Sequence, residues 1–80
     1  MEPIYEKVKA IISKQLDKVD ETRIIETASV VADLGASPID IVEIITYIQS
    51  EFNIAVPLNE PEKVRTVGEV VKYIKDRYYG

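Results

Sequence analysis

The sequence predicts an all-α fold, a four-helix bundle of three long helices and one short one, with a long loop after the first helix. Three observations predict it. Apolar residues recur at helical spacing in three separate segments, which begin near Pro3, Pro38 and Val67. Two of those segments open on helix-start signals, Ser37-Pro38-Ile39-Asp40 and Thr66-Val67-Gly68-Glu69. The chain is 80 residues long and 46% hydrophobic, enough for one globular domain over residues 1–80 with a single small core.

The first helix is expected from residue 3 to about residue 17. Ile4, Val8, Ile11, Ile12 and Leu16 form one stripe, while Glu6, Lys7, Lys9 and Lys14 lie mostly off it. That pattern is a core-facing amphipathic helix rather than a membrane-surface or calmodulin-target helix. Residues 18–36 show no sustained period and read as a packed connection, with Asp20-Glu21-Thr22 suited to cap a brief turn. Ile24, Ile25, Val30, Val31 and Leu34 are its expected apolar anchors.

The connection ends in Asp33-Leu34-Gly35-Ala36-Ser37-Pro38-Ile39-Asp40, the stretch around which the chain is organised. Gly35 allows a sharp turn or a positive φ. Ser37 suits the N-cap, Pro38 the first helical position, and Asp40 a weaker form of the capping box. One serine is thereby held at the mouth of a helix, where an attached phosphate would be electrostatically welcome.

The second helix is expected from residue 38 to about residue 52. At about 100° per residue, Ile41, Ile44, Ile45, Ile48 and Phe52 share the core face. Ile39, Asp40, Glu43, Thr46, Tyr47 and Ser50 lie opposite. Exposed apolar side chains among carboxylates are ordinary surface, or they are what a partner-docking surface shows; periodicity leaves both open. Asn53 and Pro57 end the helix, Ile54 and Val56 anchor the next loop to the core, and residues 61–64 suit the short helical turn. The last helix carries Val67, Val70, Val71, Ile74 and Tyr78 on its apolar stripe, with Tyr73 and Tyr79 partly exposed. Gly68 in its first turn is expected to weaken it by about 1 kcal/mol relative to alanine.

Composition excludes several functions. Without cysteine there is no disulfide, thiolate metal site or cysteine nucleophile; without histidine the commonest general base and metal ligand are missing. A net charge of −4 and no basic stripe argue against nucleic-acid binding. No apolar run approaches transmembrane length, and Met1-Glu2-Pro3 is no secretory signal. A cytoplasmic monomer is the expectation, with no membrane insertion. No Gly-rich phosphate loop or metal spacing accompanies the carboxylates, so a free-standing enzyme is rejected.

Four segments in order resemble the acyl carrier proteins. They are the Asp33-Leu34-Gly35 stretch, Glu51-Phe52-Asn53-Ile54-Ala55-Val56-Pro57, Glu62-Lys63-Val64-Arg65-Thr66-Val67-Gly68-Glu69, and Tyr73-Ile74. The family reads Asp-Leu-Gly-x-Asp-Ser-Leu-Asp at the first of these, and its serine bears the 4'-phosphopantetheine arm that carries acyl thioesters. Aligned without gaps, that serine falls on Pro38, which has no hydroxyl, and the preceding aspartate on Ser37. The resemblance implies the carrier-protein bundle, loading by a phosphopantetheinyl transferase, and presentation of acyl intermediates to acyl-processing enzymes of fatty-acid or related biosynthesis. It also implies that Ser29, in the family's Asn-Ala-Ser position, bonds the local backbone. Docking would use the second helix, at Ile39, Asp40, Glu43, Thr46 and Tyr47. Asp40, Glu43 and Glu51 stand where the family has acids, while Ser37, Gln49 and Ser50 are neutral, which weakens attraction to basic partners.

Ser37 then has two readings. Either it is the displaced attachment site of the arm, or it is only a cap and the chain is an unmodified interaction module that holds a protein partner on its second helix.

Overall fold

A computed structural model of the chain describes residues 3–56 and 65–79. It contains three long helices, α1 (Pro3–Gln15), α2 (Pro38–Phe52) and α3 (Val67–Tyr79), with a short 3-10 turn at Glu21–Arg23 in the first connection. Residues 61–64, Pro57 and the side chains of Tyr78 and Tyr79 lie outside the described residues. Both α2 and α3 pack chiefly against α1.

α1 stops at Gln15, two residues before the expected end, where Leu16 closes the last turn on the Ile12 carbonyl. Its stripe is buried at Ile4, Val8, Ile12 and Leu16, and Ile11 is half-buried. Tyr5 is also buried, because its phenol donates to the Ile24 carbonyl at 2.8 Å and satisfies the one polar atom it brings inside. On α2 the core face is Ile44, Ile45, Ile48 and Phe52, with Ile41 at its edge. Asn53 ends that helix in the left-handed region, φ 54°, a conformation asparagine tolerates better than most residues. α3 buries Val67, Val70, Val71 and Ile74.

The first connection is a packed part of the core. Ile24, Ala28, Val30, Leu34 and Ala36 are buried. Ile25 and Val31, expected as anchors, are exposed by 50% and 58%. Each follows a buried neighbour, and consecutive side chains leave an extended or a turned backbone in different directions, so each pair sends one member inward.

The same connection covers the start of α3. The Val67 and Gly68 amides donate to the Ala28 and Glu26 carbonyls at 3.0 and 2.9 Å. Thr66 Oγ1 accepts from the Glu69 amide, and Glu69 Oε1 accepts from the Thr66 amide, a full capping box. Val30 donates to the Arg65 carbonyl, which completes an antiparallel bridge between Ser29 and Thr66. The four amides from Thr66 to Glu69, which a helix start leaves without intrahelical partners, are therefore all bonded.

Candidate functional site

The approach to α2 is a single helical turn, residues 30–34, held by a reciprocal pair. Ser29 Oγ accepts from the Ala32 amide at 3.0 Å, and Asp33 Oδ2 accepts from the Ser29 amide at 2.7 Å. Ser29 is thus a local backbone-bonding residue. Gly35 ends the turn with φ +75°, its amide on the Val31 carbonyl at 3.0 Å, which is the left-handed helix stop that glycine adopts without a Cβ penalty. Leu34 and Ala36 are buried on either side of it. Arg23 Nη2 reaches the Asp33 carbonyl at 2.6 Å and ties the 3-10 turn to this segment. The backbone that delivers Ser37 is therefore anchored on both sides.

Ser37 is the N-cap of α2, with extended φ −81° and ψ 168°. Its Oγ accepts from the Asp40 amide at 3.1 Å, and Asp40 Oδ2 accepts from the Ser37 amide at 2.9 Å. The box is full rather than weak, because the shorter aspartate still reaches back across the turn. Pro38 takes the first helical position, exposed and without a hydroxyl. The remaining carboxylate oxygen, Asp40 Oδ1, accepts from Gln15 Nε2 of α1 at 3.0 Å. The Ser37 amide above all, then Gln15 and the Ser37 side chain, hold the Asp40 carboxyl below the usual aspartate range. Asp40 is half-buried and turned toward α1, while Ser37 remains exposed.

The outer face of α2 carries Ile39, exposed by 71%, with Glu43, Thr46 and Tyr47 also exposed. Val42, not singled out from the sequence, joins them: it lies one turn from Ile39 and is half exposed. Thr46 Oγ1 donates to the Val42 carbonyl at 2.8 Å. Tyr47 sits on the rim of a shallow cleft of about 210 Å³ with Ile11, Lys14, Ser50 and Glu51. Gln49 turns the other way, and its side-chain oxygen accepts from the Val56 amide at 2.9 Å. Glu51 pairs with Lys7 at 3.1 Å, but both side chains are about half exposed (47% and 55%), so the pair contributes little to stability. The Gln15–Asp40 and Lys7–Glu51 contacts link α1 and α2 near opposite ends of an antiparallel pair.

The structure thus brings Ser37, Asp40 and Gln15 together and leaves Ile39, Glu43, Thr46 and Tyr47 on open surface. No described helix is long and apolar enough to cross a membrane.

Comparison with known proteins gives a consistent set of relatives. The family described as a phosphopantetheine attachment site matches residues 6–74. An acyl carrier protein of Clostridium acetobutylicum is 50% identical over 72 residues, 90% of this chain and 92% of that protein. One from Helicobacter pylori is 42% identical over 73 residues, 91% and 92% of the two chains. One from Thermotoga maritima is 42% identical over 76 residues, 95% and 93%.

Proposed function

The chain belongs to the acyl carrier protein family, and from that premise we propose that it is a single carrier domain which receives 4'-phosphopantetheine on Ser37 and presents acyl thioesters to partner enzymes. The observation that carries this reading is the placement of Ser37: an exposed serine at a capped helix start, one residue before the position the family uses. Pro38, at that position, has no oxygen to modify. The residues present fit the group, since a phosphodiester on Ser37 would meet the positive end of the α2 dipole.

Loading in this reading is a transfer catalysed by another protein. Ser37 Oγ attacks the pantetheine phosphorus of coenzyme A in the transferase site. The phosphoanhydride bond to the adenosine bisphosphate breaks, and the serine proton passes to the transferase. The arm supplies the reactive thiol; this chain supplies the nucleophilic oxygen, its orientation and the surface that partners recognise. Ile39, Glu43, Thr46 and Tyr47 form that surface, with Asp40 holding the turn beside it. Fatty-acid or related biosynthesis is the proposed setting, in a cytoplasmic monomer.

A second reading rests on two specific observations. Pro38 removes the usual acceptor, and Ser37 Oγ already takes the Asp40 amide. On these grounds the chain would be an unmodified module that holds its partner on α2. Incubation with coenzyme A and a broad-specificity transferase, followed by mass mapping of the peptide around Ser37, separates the two. An adduct on Ser37 supports the carrier, and its absence with several transferases supports the module.

A further inference from the structure

We propose that Gln15 of α1 is a positioning residue for Ser37: its amide fixes the Asp40 carboxylate, and that carboxylate fixes Ser37 on the first turn of α2. The inference rests on Ser37 being the loaded residue.

The two oxygens of Asp40 are divided between two elements. Oδ2 accepts from the Ser37 amide at 2.9 Å, and Oδ1 accepts from Gln15 Nε2 at 3.0 Å. The capping box alone leaves an aspartate free to rotate about its side-chain bonds, because one oxygen or the other can serve the Ser37 amide. A donor on the second oxygen removes that freedom and selects one orientation of the carboxylate. Gln15 supplies it from 25 positions away in the chain, at the last residue of α1. α1 is itself the element on which α2 and α3 pack, so the orientation of the Ser37 turn is referred to the core.

The other tethers of this turn act upstream of Ser37, on Asp33 and Gly35. Within the capping box, Gln15 is the side chain contributed by another helix. A nucleophile misplaced by about an ångström loses rate without losing binding. Gln15 therefore acts on the chemical step of loading and leaves recognition by the transferase, which uses the outer face of α2, unchanged.

The test compares the full chain with Gln15→Leu, which keeps helix propensity but is one atom shorter and lacks the donor, and Gln15→Lys, which restores one. Two readouts are taken: titration of the Asp40 carboxyl carbon by NMR, and transferase kinetics on Ser37 with coenzyme A. In Gln15→Leu, the Asp40 titration moves up toward the ordinary aspartate range. Its kcat falls roughly three- to tenfold, the reach of one typical hydrogen bond, while KM holds. Gln15→Lys returns both toward wild type. An unchanged Asp40 titration in Gln15→Leu overturns the tether, and an unchanged kcat, or a rise in KM alone, overturns the positioning role. Wild-type chain that is never loaded on Ser37 removes the carrier reading itself, whereas loaded wild type with an equally loaded Gln15→Leu removes this inference alone.

Discussion

Gly68, in the first turn of α3, lies so close to Glu26 that a β-carbon on it would sit 3.0 Å from the Glu26 carbonyl oxygen. The same oxygen accepts the Gly68 amide at 2.9 Å. Helix propensity alone makes Gly68→Ala a gain of about 1 kcal/mol. The contact reverses the sign, since relieving it stretches that hydrogen bond and shifts the loop that carries Ala28. We expect Gly68→Ala to lower stability by about 1–2 kcal/mol, through overpacking and a weakened bond. Chemical denaturation checks it, and a more stable variant would show that the loop yields freely.

Tyr47 and Ile48 are neighbours with opposite fates, one about half exposed and one 1% exposed. Ile48→Ala should cost about 2–5 kcal/mol through lost burial and a cavity. Tyr47→Ala should leave the melting temperature nearly unchanged and weaken partner binding instead. Thermal melts of the two variants, with binding to a loading or acyl-processing enzyme, test the division of α2 into two faces.

Acid should loosen the start of α2. The carboxyl of Asp40 is held below its ordinary range in the folded chain, so ionised Asp40 stabilises the fold above its unfolded value of about 3.9. That contribution is lost as pH falls through the lower folded value. Asp20, lowered chiefly by the Thr22 amide, behaves in the same direction at the 3-10 turn. Denaturant midpoints between about pH 6 and pH 3 should fall less steeply in Asp40→Asn than in wild type. Parallel curves would mean that Asp40 is not held by its bonds in solution.

Pro38→Ser supplies a hydroxyl at the family's own acceptor position. In a Ser37→Ala background it should restore transferase loading that the single Ser37→Ala change abolishes. Failure of the double variant to load would mean that the surface around α2, not the missing hydroxyl, limits recognition.

The helical framework was legible because its signals are local. Ser37-Pro38-Ile39-Asp40 and Thr66-Val67-Gly68-Glu69 announce helix starts within one turn, and the spacing of Ile44, Ile45, Ile48 and Phe52 announces a buried face. What escaped depends on distant partners. A glutamine in the last turn of α1 carries no mark of the Asp40 it reaches. Gly68 reads as a weakness until Glu26 is set beside it. Ile24 and Ile25 are identical in composition and spacing, and only the path of the backbone decides that Ile24 goes in. Tyr5 is buried because a carbonyl waits for its hydroxyl, at Ile24, on another element.

The measurement that bears most directly on the carrier reading is the intact mass of the chain after incubation with coenzyme A and a broad-specificity phosphopantetheinyl transferase, with Ser37→Ala run beside it. A carrier modified at Ser37 gains the mass of one phosphopantetheine in the wild-type chain and none in Ser37→Ala. A gain that survives the substitution, or a wild-type chain left unmodified by every transferase tried, would contradict that reading.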